Sequence, residues 1–523
     1  MATLPGRVRA RATGRARVPG RATVAVSTVV ALALLLPLGL LVLDARDAGW
    51  RRVSGVLFRE QSLFLLRHTV ELAAVVVAAA TVIGVAAALC TERLRLPGSR
   101  VWTVLLVLPV ALPDFVVGYA WHSIAPTMNA FLGATVVMTL GTYPLVYLPV
   151  SAALRRADPA MEDTARSLGA SAPSALWRVT LPLVRTAVLG GAVLVVLTVI
   201  SEYGVFEILR YQTFTTEIFT EFQFDAQAAS SLAVPLVCLG ILVLAVDGLV
   251  PRRAVTATAP ARHGTRHPMG WAAVPVVLAL GALVGLGVGV PVGTLLYWMA
   301  QSQHTTLPAA ATLASATWAT VRYSAGGAFV AVVLALPVAL MTWRRSSPAR
   351  VVVERSTYLT QAVPGVVVAL SFVFLATHYL YGLYETSALL VAAYAILHFP
   401  LALVCVKASV AQAPPRLADV GRSLGRPAPS VFVRVTLPLL LPGMAAGFCL
   451  VFLTAVTELT ATLVLAPIGV QTLATQFWAY QSEVAYGAAA PYALVIVALA
   501  MVPGAALGLW FDRGRRLAGG TAS

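Results

Sequence analysis

Asp158-Pro159-Ala160-Met161-Glu162-Asp163-Thr164-Ala165-Arg166-Ser167-Leu168-Gly169 is a polar stretch in an otherwise largely apolar chain, and Arg178-Val179-Thr180-Leu181-Pro182 follows it. The pattern returns 256 residues later as Pro415-Arg416-Leu417-Ala418-Asp419-Val420-Gly421-Arg422-Ser423-Leu424-Gly425, followed by Arg434-Val435-Thr436-Leu437-Pro438. Arg-Ser-Leu-Gly and Arg-Val-Thr-Leu-Pro-Leu are identical in both copies, and each glycine precedes its proline by thirteen residues. Two polar segments this similar predict one structural element that occurs twice and has the same role in both places.

Each copy predicts a short helix with defined ends. Pro159 and Pro415 fit a first helical turn, and Asp158 can cap the first of the two helices. Gly169 and Gly425 supply the left-handed residue that ends a helix. The roughly ten residues between these signals predict a helix about 15 Å long.

The predicted helices are amphipathic. Their apolar faces, spaced at i, i+4 and i+7, consist of Met161, Ala165 and Leu168, and of Leu417, Gly421 and Leu424. The opposite faces carry charged side chains, among them Glu162, Asp163 and Asp419. A short amphipathic helix in a loop suits a groove on a partner protein. Packing onto its own bundle is the alternative, and the duplication favours docking.

Composition indicates a polytopic membrane protein. The 523 residues are 59% apolar and 11% charged, and the mean hydropathy is +0.85. The net charge of +16 does not indicate nucleic-acid binding, because the basic residues lie between apolar spans rather than in one patch. The four cysteines lie in or beside spans without paired spacing, which argues against disulfides and metal ligation.

Twelve apolar runs are long enough to cross a bilayer, which predicts an all-α integral membrane protein with six transmembrane helices in each half. The predicted spans are 22–43, 69–90, 101–122, 131–154, 186–206, 229–250, 271–296, 317–342, 353–379, 385–409, 441–465 and 488–511.

These spans divide the chain into two halves with polar connections. The predicted units are a basic cytoplasmic tail at 1–21, a first half at 22–250, a cytoplasmic linker at 251–270, a second half at 271–511 and a cytoplasmic tail at 512–523. With the N-terminus inside, only seven of the 37 Lys and Arg residues lie on the outer side, as the positive-inside rule requires. Residues 44–68 are the exception, since five arginines fall on the outer side there, and we interpret them as an interfacial segment.

The halves match beyond the polar stretches. Thr69 pairs with Thr320, Pro113 with Pro364, Tyr143-Pro144 with Phe399-Pro400, Glu202 with Glu458 and Thr213 with Thr472. Because each half has an even number of predicted spans, both keep the same orientation. The halves are therefore expected to form parallel repeats about an axis along the membrane normal, with the transport pathway between them.

Glu202 and Glu458 are candidates for lining that pathway, with Tyr203 beside the first of them. A carboxylate at the centre of a span costs roughly 2.5–3.5 kcal/mol, so two at equivalent positions need a reason. An interfacial acid facing water is the alternative interpretation. Oxygen ligands would suit a hard cation passing between the halves.

The duplicated polar stretch resembles the EAA loop of the permease subunits of ABC importers. Asp163-Thr164-Ala165 and Asp419-Val420-Gly421 occupy the Glu-Ala-Ala positions, and both copies keep the distal Leu-Pro. The resemblance implies a type I ABC importer permease fold with coupling loops at 155–185 and 410–440. The residues expected to couple to the ATPase are Glu162, Asp163, Ala165, Gly169, Pro182, Asp419, Gly421, Gly425 and Pro438.

The resemblance also implies partners. This chain has no Gly-Lys-Ser/Thr phosphate-binding loop, since its single lysine, Lys407, follows a valine. It is therefore expected to be a transporter subunit without catalytic residues, metal or cofactor of its own. Two copies of a separate ATPase subunit would use ATP and Mg, and an extracytoplasmic binding protein would deliver cargo to this bacterial cell-membrane protein.

A narrower resemblance is to ferric-iron importers. Thr457-Glu458-Leu459-Thr460-Ala461-Thr462-Leu463, followed by Gln471-Thr472-Leu473-Ala474-Thr475, looks like that subfamily, as does Ser201-Glu202-Tyr203-Gly204. Thiamine, phosphonate and polyamine permeases share the scaffold and remain alternatives. An ion-coupled secondary transporter is a less favoured class, because it would need ionisable groups at mid-membrane and these spans have few.

Overall fold

The computed structural model describes residues 21–157, 159–249, 270–302, 307–343, 353, 355–357 and 359–519. These residues are almost entirely helical, which agrees with the predicted all-α class. The predicted N-terminal tail except Arg21, the linker except Gly270, the last four residues of the C-terminal tail, and the Asp158 cap lie outside the described residues.

The first half contains a series of long helices joined by short ones. They are α1 Arg21–Ala48, α2 Trp50–Leu57, α3 Glu60–Arg93, α4 Ser99–Val107, α5 Asp114–Ile124, α6 Ala130–Arg156, α7 Pro159–Ser167, α8 Ala172–Ala175, α9 Leu181–Ser201, α10 Gly204–Ile208, α11 Phe214–Phe222 and α12 Ala226–Leu249.

The second half repeats this order. Its helices are α13 Ala273–Val284, α14 Val290–Gln301, α15 Ala310–Trp343, α16 Gly365–His378, α17 Ser387–Leu397, α18 Phe399–Gln412, α19 Pro415–Ser423, α20 Ala428–Val431, α21 Leu437–Val456, α22 Thr460–Leu465, α23 Leu473–Ser482 and α24 Tyr486–Gly519. Three π-helical turns, Leu176–Thr180, Gly285–Gly289 and Phe432–Thr436, join α8 to α9, α13 to α14 and α20 to α21.

Most of the predicted spans correspond to helices of membrane-crossing length. Within the described part of the chain, eight helices are long and apolar enough to cross a bilayer, and up to eleven spans result if each of three bent pairs counts as one. The apolar section of α24, Tyr486–Val502, is shorter. The number twelve therefore stays a prediction.

The bends are a feature that the apolar runs did not reveal. The predicted span 101–122 is broken by 89° between Ala111 and Asp114, and 353–379 by 101° before Gly365. Pro113 and Pro364 stand at these two breaks, where a proline cannot continue the preceding helix. The predicted spans 186–206 and 441–465 are also wrong at their ends, because α9 stops at Ser201 and α21 at Val456.

Equivalent hydrogen bonds hold the two halves in the same local conformation. The Thr69 hydroxyl accepts from the Phe214 backbone N–H at 3.2 Å, and the Thr320 hydroxyl accepts from the Leu473 N–H at 2.9 Å. Both α11 and α23 also begin with a reciprocal threonine capping box. These matched contacts agree with the pairings made on sequence.

The first span of each half packs against helices of the other half as well as its own. The α1 helix packs against α15 and α16, and the Ser371 hydroxyl donates to the carbonyl of Pro37 at 2.9 Å. Conversely, α14 packs against α5, where the Trp298 indole N–H donates to the Ser123 hydroxyl at 3.0 Å. The two halves are therefore interlocked rather than merely adjacent.

The arginine-rich segment 44–68 forms α2 and its flanks. The α2 helix buries Val53 and Val56 and packs against α12. Arg52 forms an ion pair with Asp225, and Arg59 lies 3.5 Å from Glu221. Arg67 also lies 3.8 Å from Glu71, so three of the five arginines are balanced by acids of the same half.

Candidate functional site

The duplicated helices α7 and α19 end as predicted. Gly169 has a φ of +90° and Gly425 a φ of +79°, so both are in the left-handed region. In each copy, the N–H of the residue after the glycine donates to the carbonyl five residues earlier, at 3.0 Å in the first copy and 3.3 Å in the second. This is a Schellman arrangement, and the prediction of a left-handed glycine cap is confirmed.

The apolar face of each helix is only partly turned outward. Leu168 is 83% exposed and Leu424 is 76% exposed, and Met161 and Leu417 are exposed as well. These four side chains form what we call the apolar tips of α7 and α19. All four are exposed in the described structure, as a docking surface requires.

The middle of each face turns toward the bundle instead. Ala165 and Gly421 are half-buried. A Cβ atom added at Gly421 would lie 3.1 Å from a methyl carbon of Val431, so α19 approaches α20 closely there. These two positions hold the helices against their own half.

The acids of the duplicated stretch differ in what they contact. Asp163 and Asp419 are exposed, and the Asp419 carboxylate lies 3.8 Å from the Arg422 guanidinium on the same helix. The Glu162 side chain is only 20% exposed and is held within its own half by Arg93 and Thr180. The structure therefore separates Glu162 from the outward-facing Asp163.

Pro182 and Pro438 begin the long helices that follow. Both lie in the first turn of their helix, directly after a π turn, where a missing N–H is tolerated. Pro182 and Met161 also line a groove of about 320 Å³ between α7 and the start of α9. The groove places the predicted coupling residues beside the base of a long helix.

Glu202 and Glu458 lie at the opposite ends of those same helices. The Glu202 carboxylate accepts the N–H of Val205 at 3.0 Å, and the Glu458 carboxylate accepts the N–H of Ala461 at 3.1 Å. Each acid thereby caps the short helix that follows it, α10 or α22, where the helix N-terminus favours a negative charge. Both are half-buried, so neither is a freely solvated surface acid.

The backbone carbonyl of each acid accepts a threonine hydroxyl, but from different places: a separate helix, α11, in the first half and the next turn of the chain in the second. The Thr215 hydroxyl donates to the Glu202 carbonyl at 2.5 Å, and the Thr462 hydroxyl donates to the Glu458 carbonyl at 2.6 Å. The segments that carry the two acids also meet, because a Cβ atom added at Gly204 would lie 2.8 Å from a methyl carbon of Leu459. The structure thus brings together the two acids that the sequence had paired.

Asp114 is a third carboxylate here, and the sequence analysis missed it. It is the first residue of α5, its charge interacts with that of Glu202, and it packs directly against Gly141 of α6. A signal was present, because Asp114 follows Pro113 within an apolar run while Gly365 follows Pro364 in the second half. Among the described residues, no three acids, histidines or cysteines are arranged to hold a metal ion.

Tyr203 lies between aromatic rings of both halves. Its ring centroid is 4.4 Å from that of Phe219 and 5.5 Å from that of Trp478, and the residue is 3% exposed. Phe219 on α11 and Trp478 on α23 occupy equivalent positions, counted from the matched Thr213 and Thr472. We call these three rings the aromatic plug; its equivalent of Tyr203 in the second half is Leu459.

Known proteins resemble this chain in both halves. The family model described as binding-protein-dependent transport system inner membrane component matches residues 80–255 and again 329–516. The Fe(3+)-transport system permease protein FbpB 2 of Haemophilus influenzae is 35% identical over 88% of this chain and 93% of its own length.

Other relatives match a shorter part of the chain. The molybdenum transport system permease protein ModB of Mycobacterium tuberculosis is 31% identical over 39% of this chain and 85% of its own length. The sulfate transport system permease protein CysT of Escherichia coli is 29% identical over 39% of this chain and 82% of its own length. The chain therefore belongs to the family of binding-protein-dependent transport system inner membrane components, and it is a membrane-spanning transport permease, not an enzyme.

Proposed function

We propose that this chain is the transmembrane permease subunit of an ATP-driven importer that moves ferric iron across the bacterial inner membrane. The observation that carries the proposal is the continuity of α9 and α21. Each helix starts at a duplicated polar helix with an exposed apolar tip and ends at a paired carboxylate. This repeated arrangement supports a link between a docking element and a transport pathway in both halves.

In this proposal α7 and α19 are the coupling helices. Each would dock into one copy of an ATPase subunit through its apolar tip and through Asp163 or Asp419. Closure of the two ATPase subunits on ATP and Mg would move both helices together. The N- and C-termini would be cytoplasmic, with twelve spans arranged as two parallel six-helix repeats.

Cargo would pass between the halves. An extracytoplasmic binding protein would deliver it to the end of the bundle opposite the coupling helices. There Glu202, Glu458 and Asp114, which are not arranged as a metal-binding site, would give the path a negative charge that favours a passing cation, and Tyr203 would close the path. Alternating access would follow from rocking of the interlocked halves.

Two observations support ferric iron as the cargo. The relative that extends over both halves carries Fe(3+) transport in its name, whereas the sulfate and molybdenum permeases match less than half of this chain. Three carboxylates in the pathway would also repel an oxyanion, because like charges in a poorly screened interior interact strongly. Thiamine, phosphonate and polyamine remain as alternative cargos.

The test is transport by the assembled complex. The chain would be purified from membranes with its co-purifying ATPase subunit and reconstituted in vesicles with binding protein loaded with ferric iron. We expect iron uptake that requires ATP and stops when hydrolysis is blocked. Uptake driven by an ion gradient without ATP would instead identify a secondary transporter and overturn the proposal. Uptake of another binding-protein cargo, but not of iron, would retain the permease and correct its substrate.

A further inference from the structure

We propose that Glu162 is a positioning residue that fastens the first coupling helix to the bundle and thereby transmits its movement, rather than a contact for the ATPase. The inference rests on the proposed function, since it assumes that α7 is moved by an ATPase subunit. It assigns to the first half a joint whose acid is replaced by Ala418 in the second half.

The joint is formed by one carboxylate oxygen with two partners. Glu162 Oε2 accepts a hydrogen bond from the Thr180 hydroxyl at 3.0 Å and lies 3.7 Å from the Arg93 guanidinium. The Glu162 and Arg93 side chains are each 20% exposed, and Thr180 is buried. A carboxylate in this position is engaged from the bundle side and is poorly placed to reach another protein.

Arg93 extends the joint to a second ion pair. It is the last residue of α3, and its neighbour Glu92 accepts hydrogen bonds from Arg155 at 2.9 Å and from Ser151 at 2.5 Å. Arg155 and Ser151 belong to α6, the helix that leads into α7. The end of α3 is therefore linked by charged groups to both the coupling helix and the helix before it.

Thr180 connects the joint to the transport pathway. It is the last residue of the π turn Leu176–Thr180, and α9 begins at the next residue. The far end of α9 is followed directly by Glu202. A displacement of α7 would thus act on the base of the helix whose other end carries a pathway carboxylate.

The second coupling helix has no equivalent acid. Ala418 stands where the first copy has Glu162, although Thr436 stands where the first copy has Thr180. The acid of α19, Asp419, lies near Arg422 of its own helix, and contact with the bundle includes the close approach of Gly421 to Val431. The Gly421–Val431 contact is apolar, whereas the first coupling helix has an ion pair and a hydrogen bond to the bundle.

The experiment compares matched variants of the two halves in the reconstituted complex. Thr180→Val removes the hydroxyl that binds Glu162, and Thr436→Val makes the same change where no acid faces it. Glu162→Gln keeps an acceptor for Thr180 but removes the charge that attracts Arg93. For Glu162→Gln we expect transport per ATP hydrolysed to fall about two- to thirtyfold, the range found for residues that carry coupling without touching a ligand. Thr180→Val should have a smaller effect in the same direction, and Thr436→Val should have none.

Assembly is the second measurement and separates a positioning role from docking. The yield of co-purified ATPase and the melting temperature of the complex should be unchanged in Glu162→Gln. Asp163→Asn, which alters the neighbouring exposed acid, should instead reduce ATPase association. The double variant Arg93→Glu/Glu162→Arg should restore part of the transport ratio.

The outcomes are distinguishable. Loss of ATPase from Glu162→Gln, with a normal transport ratio in the complexes that remain, would make Glu162 a docking contact and overturn the inference. Equal effects of Thr180→Val and Thr436→Val would overturn the asymmetry between the halves. Absence of any ATPase with the unmodified chain would instead mean that the proposed function has failed.

Discussion

The two halves of this permease share a backbone but differ in the side chains placed on it. Both have a glycine-capped polar helix, a π turn, a long helix, and a glutamate that caps the next short helix. The additional charged and aromatic side chains belong mostly to the first half. Glu162, Asp114 and Tyr203 occupy the positions that Ala418, Gly365 and Leu459 occupy in the second half. Duplication thus preserves the order of these helices, while the charged and aromatic side chains around them differ between the halves.

Removing the charges of both proposed pathway glutamates should have the largest effect. In Glu202→Gln/Glu458→Gln each amide oxygen can still accept the backbone N–H, so the short helices should keep their caps. A charge-assisted contact contributes about 1.5–3 kcal/mol, so we expect uptake to fall roughly tenfold for one substitution and further for both. Iron uptake into vesicles would be measured together with the yield of the complex. Unchanged uptake with normal assembly would make the two acids purely structural caps.

The glycine caps should show how far the two halves are equivalent. Gly169→Val and Gly425→Val each force a β-branched residue into a left-handed conformation, at a cost of about 1–2 kcal/mol. We expect coupled transport to fall by a similar factor, about five- to twentyfold, in both variants. The matched control is Gly190→Val, because Gly190 lies within α9 and has open space around it. If only one variant reduced coupled transport, only that helix would couple ATP hydrolysis to transport.

The aromatic plug allows the first half to be converted toward the second. Tyr203→Leu reproduces Leu459 and removes ring contacts that contribute about 0.5–1.5 kcal/mol. We expect passive iron efflux from loaded vesicles without ATP to rise about two- to tenfold. Tyr379→Leu, at an exposed tyrosine outside the plug, should leave efflux at its original rate. An unchanged rate of passive iron efflux in Tyr203→Leu would show that the rings do not close the path.

The smallest effect should come from the ion pair at α2. Burial by itself would raise the pKa of Asp225, but hydrogen bonds from the Ala228 N–H and from Arg52 hold that pKa below its ordinary value. The stabilisation is therefore present above the ordinary pKa of aspartate, and it is lost as the pH falls through the lowered value. An exposed pair contributes about 0.2–1 kcal/mol, so Arg52→Gln should lower the melting temperature slightly at pH 7. The difference from the unmodified chain should vanish in strong acid, and Arg51→Gln should show none.

The sequence predicted the features that depend on local backbone demands. A glycine at the end of a short helix, with a proline soon after it, predicts a left-handed cap, and Gly169 and Gly425 have that conformation. The pairing of Glu202 with Glu458 followed from matched spacing, and the structure gives both acids the same hydrogen bond. Such features need no knowledge of distant contacts.

The features that escaped depend on groups far apart in the chain. Asp114 becomes significant only because α5 brings it to Glu202, which lies 88 residues later. Glu162 was assigned to an outer face by helical periodicity, but Arg93 on a distant helix holds it inward. The bends at Pro113 and Pro364 could not be predicted from hydropathy, because an apolar run has the same mean hydropathy whether its helix is straight or bent.

The exchange of first spans has a consequence for how the protein is made. The α1 helix enters the membrane early in synthesis, yet its partners α15 and α16 emerge only after the whole first half has been translated. During synthesis, the surface of α1 that packs against α15 and α16 therefore has no partner until the second half has been inserted. Fusing the halves in one polypeptide secures equal amounts of both and keeps the late partner tethered to the early one.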